Sequence, residues 1–162
     1  MSDAPVPLEP EVFGPESQCF GCAPHHPIGM HLRPMREGDA VTVRFVPPET
    51  YQGPLGLMHG GLVTTLADEL AAWAVVGLRE RFGFTGAIDA RLLKPVRVGV
   101  EVQGRAHITR DHGRLLKVAV SLAQEGAEVF KGEFTFVVLD AAGASRIMGG
   151  AELPEHWRRF TR

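Results

Sequence analysis

Residues 59–69 read His59-Gly60-Gly61-Leu62-Val63-Thr64-Thr65-Leu66-Ala67-Asp68-Glu69. A His-Gly-Gly turn here runs straight into a segment with helical periodicity. From Gly60 to Gly77 the only charged residues are Asp68 and Glu69, with no Lys or Arg among them. Lone carboxylates on an otherwise uncharged helix are costly unless something uses them. A glycine-rich helix N-terminus offers unpaired N–H groups and the positive end of the helix dipole, which a developing oxyanion needs. Together the two features point to acyl transfer or hydrolysis.

The helix is expected over residues 59–81, with Gly83 as its stop. Leu62, Leu66, Leu70, Trp73 and Gly77 form one stripe at helical spacing, the natural face for a sheet. Thr64, Asp68, Ala71, Ala72 and Val75 lie opposite. These small or weakly apolar residues imply that a partner chain or a ligand covers that face too.

Strand signals surround the helix. Residues 40–46 alternate and end at Pro47-Pro48. After the helix come runs at 85–94, 100–110, 114–124 and 127–139. Asp111-His112-Gly113 and Glu125-Gly126 read as hairpin turns. Hairpins joining consecutive strands imply an antiparallel sheet with the helix on one face, an α+β fold. Residues 1–18, broken by Pro5, Pro7, Pro10 and Pro15, read as a flexible tail. Residues 19–140 form the domain and 141–162 a C-terminal tail, with a short helix near 151–160.

Composition narrows the function. The chain has 162 residues, 22% of them charged, and a net charge of −2, so it does not read as a nucleic-acid binder. No apolar run is expected to reach the roughly 20 residues of a membrane span. The acidic, proline-rich start lacks the pattern of a signal peptide, so a cytoplasmic location is expected. Cys19 and Cys22 are the only cysteines and too close together to staple a fold.

A distance argument sets the assembly. Gly60 and Asp68 lie about 12 Å apart along a helix rising about 1.5 Å per residue. One carbonyl cannot lie within about 3 Å of both. If both act on it, they come from different chains, and the sites are composite at a homodimer interface.

At this point the sequence resembles the hotdog-fold acyl-CoA thioesterases, of the phenylacetate-pathway and 4-hydroxybenzoyl-CoA type. The likeness rests on His59-Gly60-Gly61, on Leu66-Ala67-Asp68, and on Arg91-Leu92-Leu93-Lys94-Pro95 after the helix. Cys19-Phe20-Gly21-Cys22 and Pro27-Ile28-Gly29-Met30-His31-Leu32 resemble the opening segment of one branch. His26 departs from that branch, which has Asn before the Pro.

The resemblance implies a curved antiparallel sheet around a long central helix, in dimers that often pair into tetramers. It implies hydrolysis of an acyl-CoA, without metal or redox cofactor. Asp68 matches the catalytic carboxylate, as nucleophile or as general base on water. Gly60 matches the backbone N–H that polarises the thioester carbonyl. His59 and Gln52 match positions that line or order the site. Two other readings stand beside it. A non-catalytic module that senses acyl-CoA would need no Asp68. A hydratase of this fold pairs an Asp with a nearby downstream His, and none follows Asp68 until His107.

Other residues carry weaker expectations. Gly61, which shares the turn with Gly60, and Glu69, which borders the core stripe, are further substrate-binding candidates, although Glu69 reads first as an ion-pair partner for a strand arginine. Lys94, Arg97 and Arg114 sit at strand ends or turns and are candidates for the coenzyme A phosphates. Thr85, Phe82 and Phe84 follow the helix and read mainly as packing residues. Cys19 and Cys22 have the spacing of half a zinc site, but His25, His26 and His31 do not supply a regular second half, so no metal is expected there.

Overall fold

The computed structural model describes residues 4–161. Seven strands form one antiparallel sheet: β1 (Val6–Pro7), β2 (Met35–Glu37), β3 (Ala40–Phe45), β4 (Gly83–Leu92), β5 (Val102–Asp111), β6 (Leu115–Gln124) and β7 (Ala127–Val138). Their order across the sheet is β1-β2-β3-β5-β6-β7-β4. A 20-residue helix, α1 (Gly60–Arg79), lies in the curve of the sheet, and two short helices follow β7, α2 (Ala141–Ile147) and α3 (Glu155–Arg158).

The expected α+β arrangement is present, with one difference in connection. β5, β6 and β7 are joined by hairpins at the turns expected. Glu125 and Gly126, with φ of 51° and 78°, make the tight β6–β7 turn that needs two left-handed residues. β4, however, does not pair with β5. It crosses to the far side and pairs with β7, leaving β3 beside β5 and β4 as an edge strand.

α1 begins where the His59 imidazole Nδ1 accepts the Gly61 N–H at 3.0 Å. It ends at Arg79, earlier than Gly83. Glu80 takes the left-handed conformation and returns its N–H to Val76 O. Gly83 instead opens β4, where a Cβ would lie 2.8 Å from the Val137 carbonyl oxygen. Leu66 and Leu70 are buried among Phe130, Phe134, Phe136, Leu116 and Leu122. Contrary to expectation, α1 has the length and hydropathy (1.4) of a membrane span. Much of that apolar surface is used to bind the sheet.

The flanking segments are folded onto the domain, which corrects their reading as tails. β1 pairs with β2, and Pro10 and Phe13 are buried in a 3-10 turn at Pro10–Phe13. The Phe13 ring lies 5.5 Å from Trp73 of α1, 5.1 Å from Trp157 and 5.3 Å from Phe160. Ala71 and Val75, assigned to the face opposite the sheet, are buried within this chain, while Leu62 and Gly77 of the sheet stripe are only partly so. Leu8 packs against Gly77, Phe13 against Trp73 and Cys19 against Glu69, so the chain's own N-terminal segment covers part of the stripe expected to face the sheet.

Candidate active site

Asp68 and Glu69 are neighbours in sequence and face different surroundings. Asp68, half-buried, points toward the edge strand and accepts a 2.6 Å hydrogen bond from Thr85 Oγ1 of β4. Burial raises its carboxyl above the ordinary aspartate value, against the lowering effect of the Thr85 hydroxyl. No basic side chain pairs with it among the described residues. A carboxylate held by one hydroxyl, with its basicity raised, is suited to take a proton from water or to attack a carbonyl.

The helix start lies at the other end of the same strand. Gly60 sits so close to Leu92 of β4 that a Cβ would lie 3.1 Å from Leu92 Cδ2. The Gly60 N–H occupies the first helical position, where no intrahelical acceptor exists. The Gly61 N–H is already taken by the exposed His59 ring, so of the two glycines only Gly60 offers a free donor. Gln52 orders the preceding loop: its Oε1 accepts the Gly56 N–H and its Nε2 donates to Glu49 O. Gly60 and Asp68 therefore share β4 as a wall but stand two helical turns apart.

Glu69 turns to the opposite flank. No arginine pairs with it among the described residues, because the flank is built by the N-terminal segment. Trp73 Nε1 donates to Oε1 at 3.1 Å, and Cys19 Sγ lies 3.4 Å from Oε1 and 3.6 Å from Oε2. Burial pushes the Glu69 carboxyl up to about 8, and Cys19 beside it adds to the rise. The adjoining Cys22 thiol holds Cys19 down at about 5, while Cys22 itself is driven upward by Cys19 and by burial. An apolar cavity of about 160 Å³ opens on this flank, away from Asp68, walled by Phe13, Trp73, Phe82 and Trp157.

The basic candidates divide between two places. Residues 94–97 run beside the loop into the helix, with Met58 N–H donating to Val96 O and a bridge between Leu57 and Arg97. Arg97 is paired with Glu125, whereas Lys94 is exposed and makes no ion pair among the described residues. Arg114 lies in the β5–β6 turn with Arg81 and Arg146, near the other end of α1. Thr85 is the residue whose role the sequence hid. Only its place at the start of a strand returning along the helix hinted that it would meet Asp68.

An antiparallel sheet curved around one long helix defines the class of hotdog folds. Residues 55–131 match the family model of the thioesterase superfamily. A solved thioesterase superfamily protein has a TM-score of 0.69 at 18% identity, covering 85% of this chain and 68% of that one. A Streptococcus mutans protein, solved bound to acetyl-CoA, has a TM-score of 0.59 at 22% identity, covering 62% of this chain and 81% of its own. The resemblance to hotdog thioesterases thus holds in sequence and in fold. A curated relative, methylthioribose-1-phosphate isomerase of Aquifex aeolicus, is 37% identical over 84 residues, 52% of this chain. The chain spans only 18% of that relative's length.

Proposed function

We propose that this protein is a cytoplasmic acyl-CoA thioesterase that works as a homodimer, with each site shared between two chains. The observation that carries the reading is the Asp68 carboxyl, raised by burial and held by Thr85 beside an unpaired edge strand. Phe84, Ile88 and Leu92 of that strand are 42%, 46% and 52% exposed, a long apolar edge that a single chain leaves open. Two copies joined antiparallel along β4, centred near Ile88 and Asp89, would set Thr85 of one opposite Leu92 of the other. That pairing brings Asp68 of one chain toward Gly60 of its neighbour, which the separation within one chain forbids.

In this site the Gly60 N–H and the helix dipole hold the developing oxyanion, worth about 3–4 kcal/mol by comparison with other oxyanion donors. Asp68 of the second chain activates water or attacks the thioester carbon. Lys94, exposed near the helix start, is placed to meet a coenzyme A phosphate, with Arg97 and Arg114 as further cations. The reaction needs no cofactor beyond the coenzyme A of its substrate. The S. mutans protein of the same fold, solved with acetyl-CoA, supports this choice of ligand.

The test is thiol release from short, long-chain and aromatic acyl-CoAs, wild type beside Asp68→Asn. Hydrolysis reduced at least about 100-fold in the variant, with its fold kept, is the expected result. Binding of coenzyme A esters without release by the wild type would favour the sensor reading instead.

A further inference from the structure

The Cys19–Cys22 turn and Glu69 meet although the sequence keeps them 50 residues apart. The Sγ atoms of Cys19 and Cys22 and a carboxylate oxygen of Glu69 all lie within 4.8 Å of one another. Zn–S bonds of about 2.3 Å and Zn–O bonds of about 2.0–2.2 Å, at tetrahedral angles, set sulfur and oxygen about 3.5–3.7 Å apart. Cys19 Sγ stands 3.4 and 3.6 Å from the two Glu69 oxygens. The cysteines are free rather than bridged.

Three further observations point the same way. Glu69 is packed against the chain without a cationic partner among the described residues, an uncompensated acid that a metal ion would neutralise. The Trp73 indole N–H fixes one carboxylate oxygen, the kind of outer contact that orients a ligand. Gly21 presses on the carboxylate so closely that a Cβ would lie 2.2 Å from Glu69 Cδ, so the loop is shaped around this group. The third possible donor comes from the helix and not from His25, His26 or His31.

We propose that Cys19, Cys22 and Glu69 form a three-donor site for a thiophilic divalent cation, Zn²⁺ by its ligand set. The fourth position faces the apolar cavity, which has room for a water or a small exogenous ligand. The ion fastens the N-terminal segment to the middle of α1. Binding displaces the protons these ligands still hold and releases them to solvent.

The test is a Co²⁺ titration of the whole protein, stripped with chelator and kept reduced with a phosphine. One equivalent should give sulfur-to-cobalt charge-transfer absorption and a higher melting temperature. Cys19→Ser should weaken that absorption markedly, and Glu69→Gln should lower affinity at least about 10-fold while keeping thiolate absorption. Circular dichroism checks that each variant folds; if Cys19→Ser does not, Glu69→Gln and wild type decide the matter. Absence of charge-transfer absorption from wild type with both thiols titrating free would overturn the proposal. So would Cys19 and Cys22 recovered as a disulfide that binds no cobalt, or a wild-type affinity unchanged in Glu69→Gln. None of these readouts depends on thioester hydrolysis.

Discussion

Thr85 Oγ1 donates a 2.6 Å hydrogen bond to Asp68 Oδ1, tying the middle of the central helix to the edge strand. The contact stabilises the charged carboxylate and so opposes the effect of burial, which is the larger of the two. Only the ionised carboxylate can act as base or nucleophile. The acid limb of kcat/KM should therefore lie above the ordinary aspartate range, with activity rising as pH rises through it. Thr85→Val removes the lowering contribution and leaves burial alone, so the limb should move further up. A pH profile of the two proteins reads this directly; a limb unmoved or moved down would separate Thr85 from the ionisation of Asp68.

The exposed apolar edge of β4 leads to a second prediction. Ile88→Arg places a charge at the proposed two-fold centre without touching the core, since Ile88 is 46% exposed. Sedimentation should then show a 17.6 kDa species in place of a dimer, with turnover lost and circular dichroism preserved. A variant that stays dimeric and active would move the interface elsewhere.

A third prediction concerns the core under the helix. A Cβ at Gly104 of β5 would lie 2.7 Å from Leu70 Cδ2 and 3.0 Å from both Leu122 Cδ2 and Val43 Cγ1. Gly104→Ala should overpack this contact and cost about 1–3 kcal/mol. At about 2–4 °C per kcal/mol, thermal unfolding should show the loss. An unchanged melting temperature would mean that the helix and sheet can separate more easily than their packing suggests.

Much of this fold is legible in the sequence because it is local. The apolar spacing from Leu62 to Trp73 makes the helix, and Glu125-Gly126 makes a hairpin wherever alternating runs flank it. The order of the sheet is not local. Nothing in residues 83–92 says that the strand crosses to β7 instead of β5. That choice depends on closing the sheet around α1. Prolines at 5, 7, 10 and 15 read as breakers, yet Phe13 between them finds Trp73, Trp157 and Phe160, a cluster drawn from three distant segments. In the candidate site, Asp68 and Gly60 stood out because an uncharged helix and a glycine turn are unusual. Thr85 did not, because a threonine at a strand start is ordinary until its helix neighbour is known. The partners of Glu69 were hidden for the same reason: they come from residues 19–22 and from a tryptophan one turn on.

The composite site makes the sharpest prediction. Gly60→Pro removes the N–H proposed to hold the oxyanion. Proline suits a first helical position, and His59 before it is already extended at ψ 129°. The Leu92 methyl that approaches Gly60 is the end of a flexible side chain and can shift. Alone, Gly60→Pro should lower turnover by about 10²–10³, and Asp68→Asn should do the same or more. Refolding the two inactive chains together at equal amounts gives mixed dimers in which one site has both intact groups and the other has neither. If the sites are shared, random mixing should restore about a quarter of wild-type activity, since half the dimers carry one working site of two. If Gly60 and Asp68 of one chain acted on the same thioester, every site would stay damaged and mixing would restore nothing. The rate of thiol release from the mixture, compared with each variant alone, decides between the two arrangements.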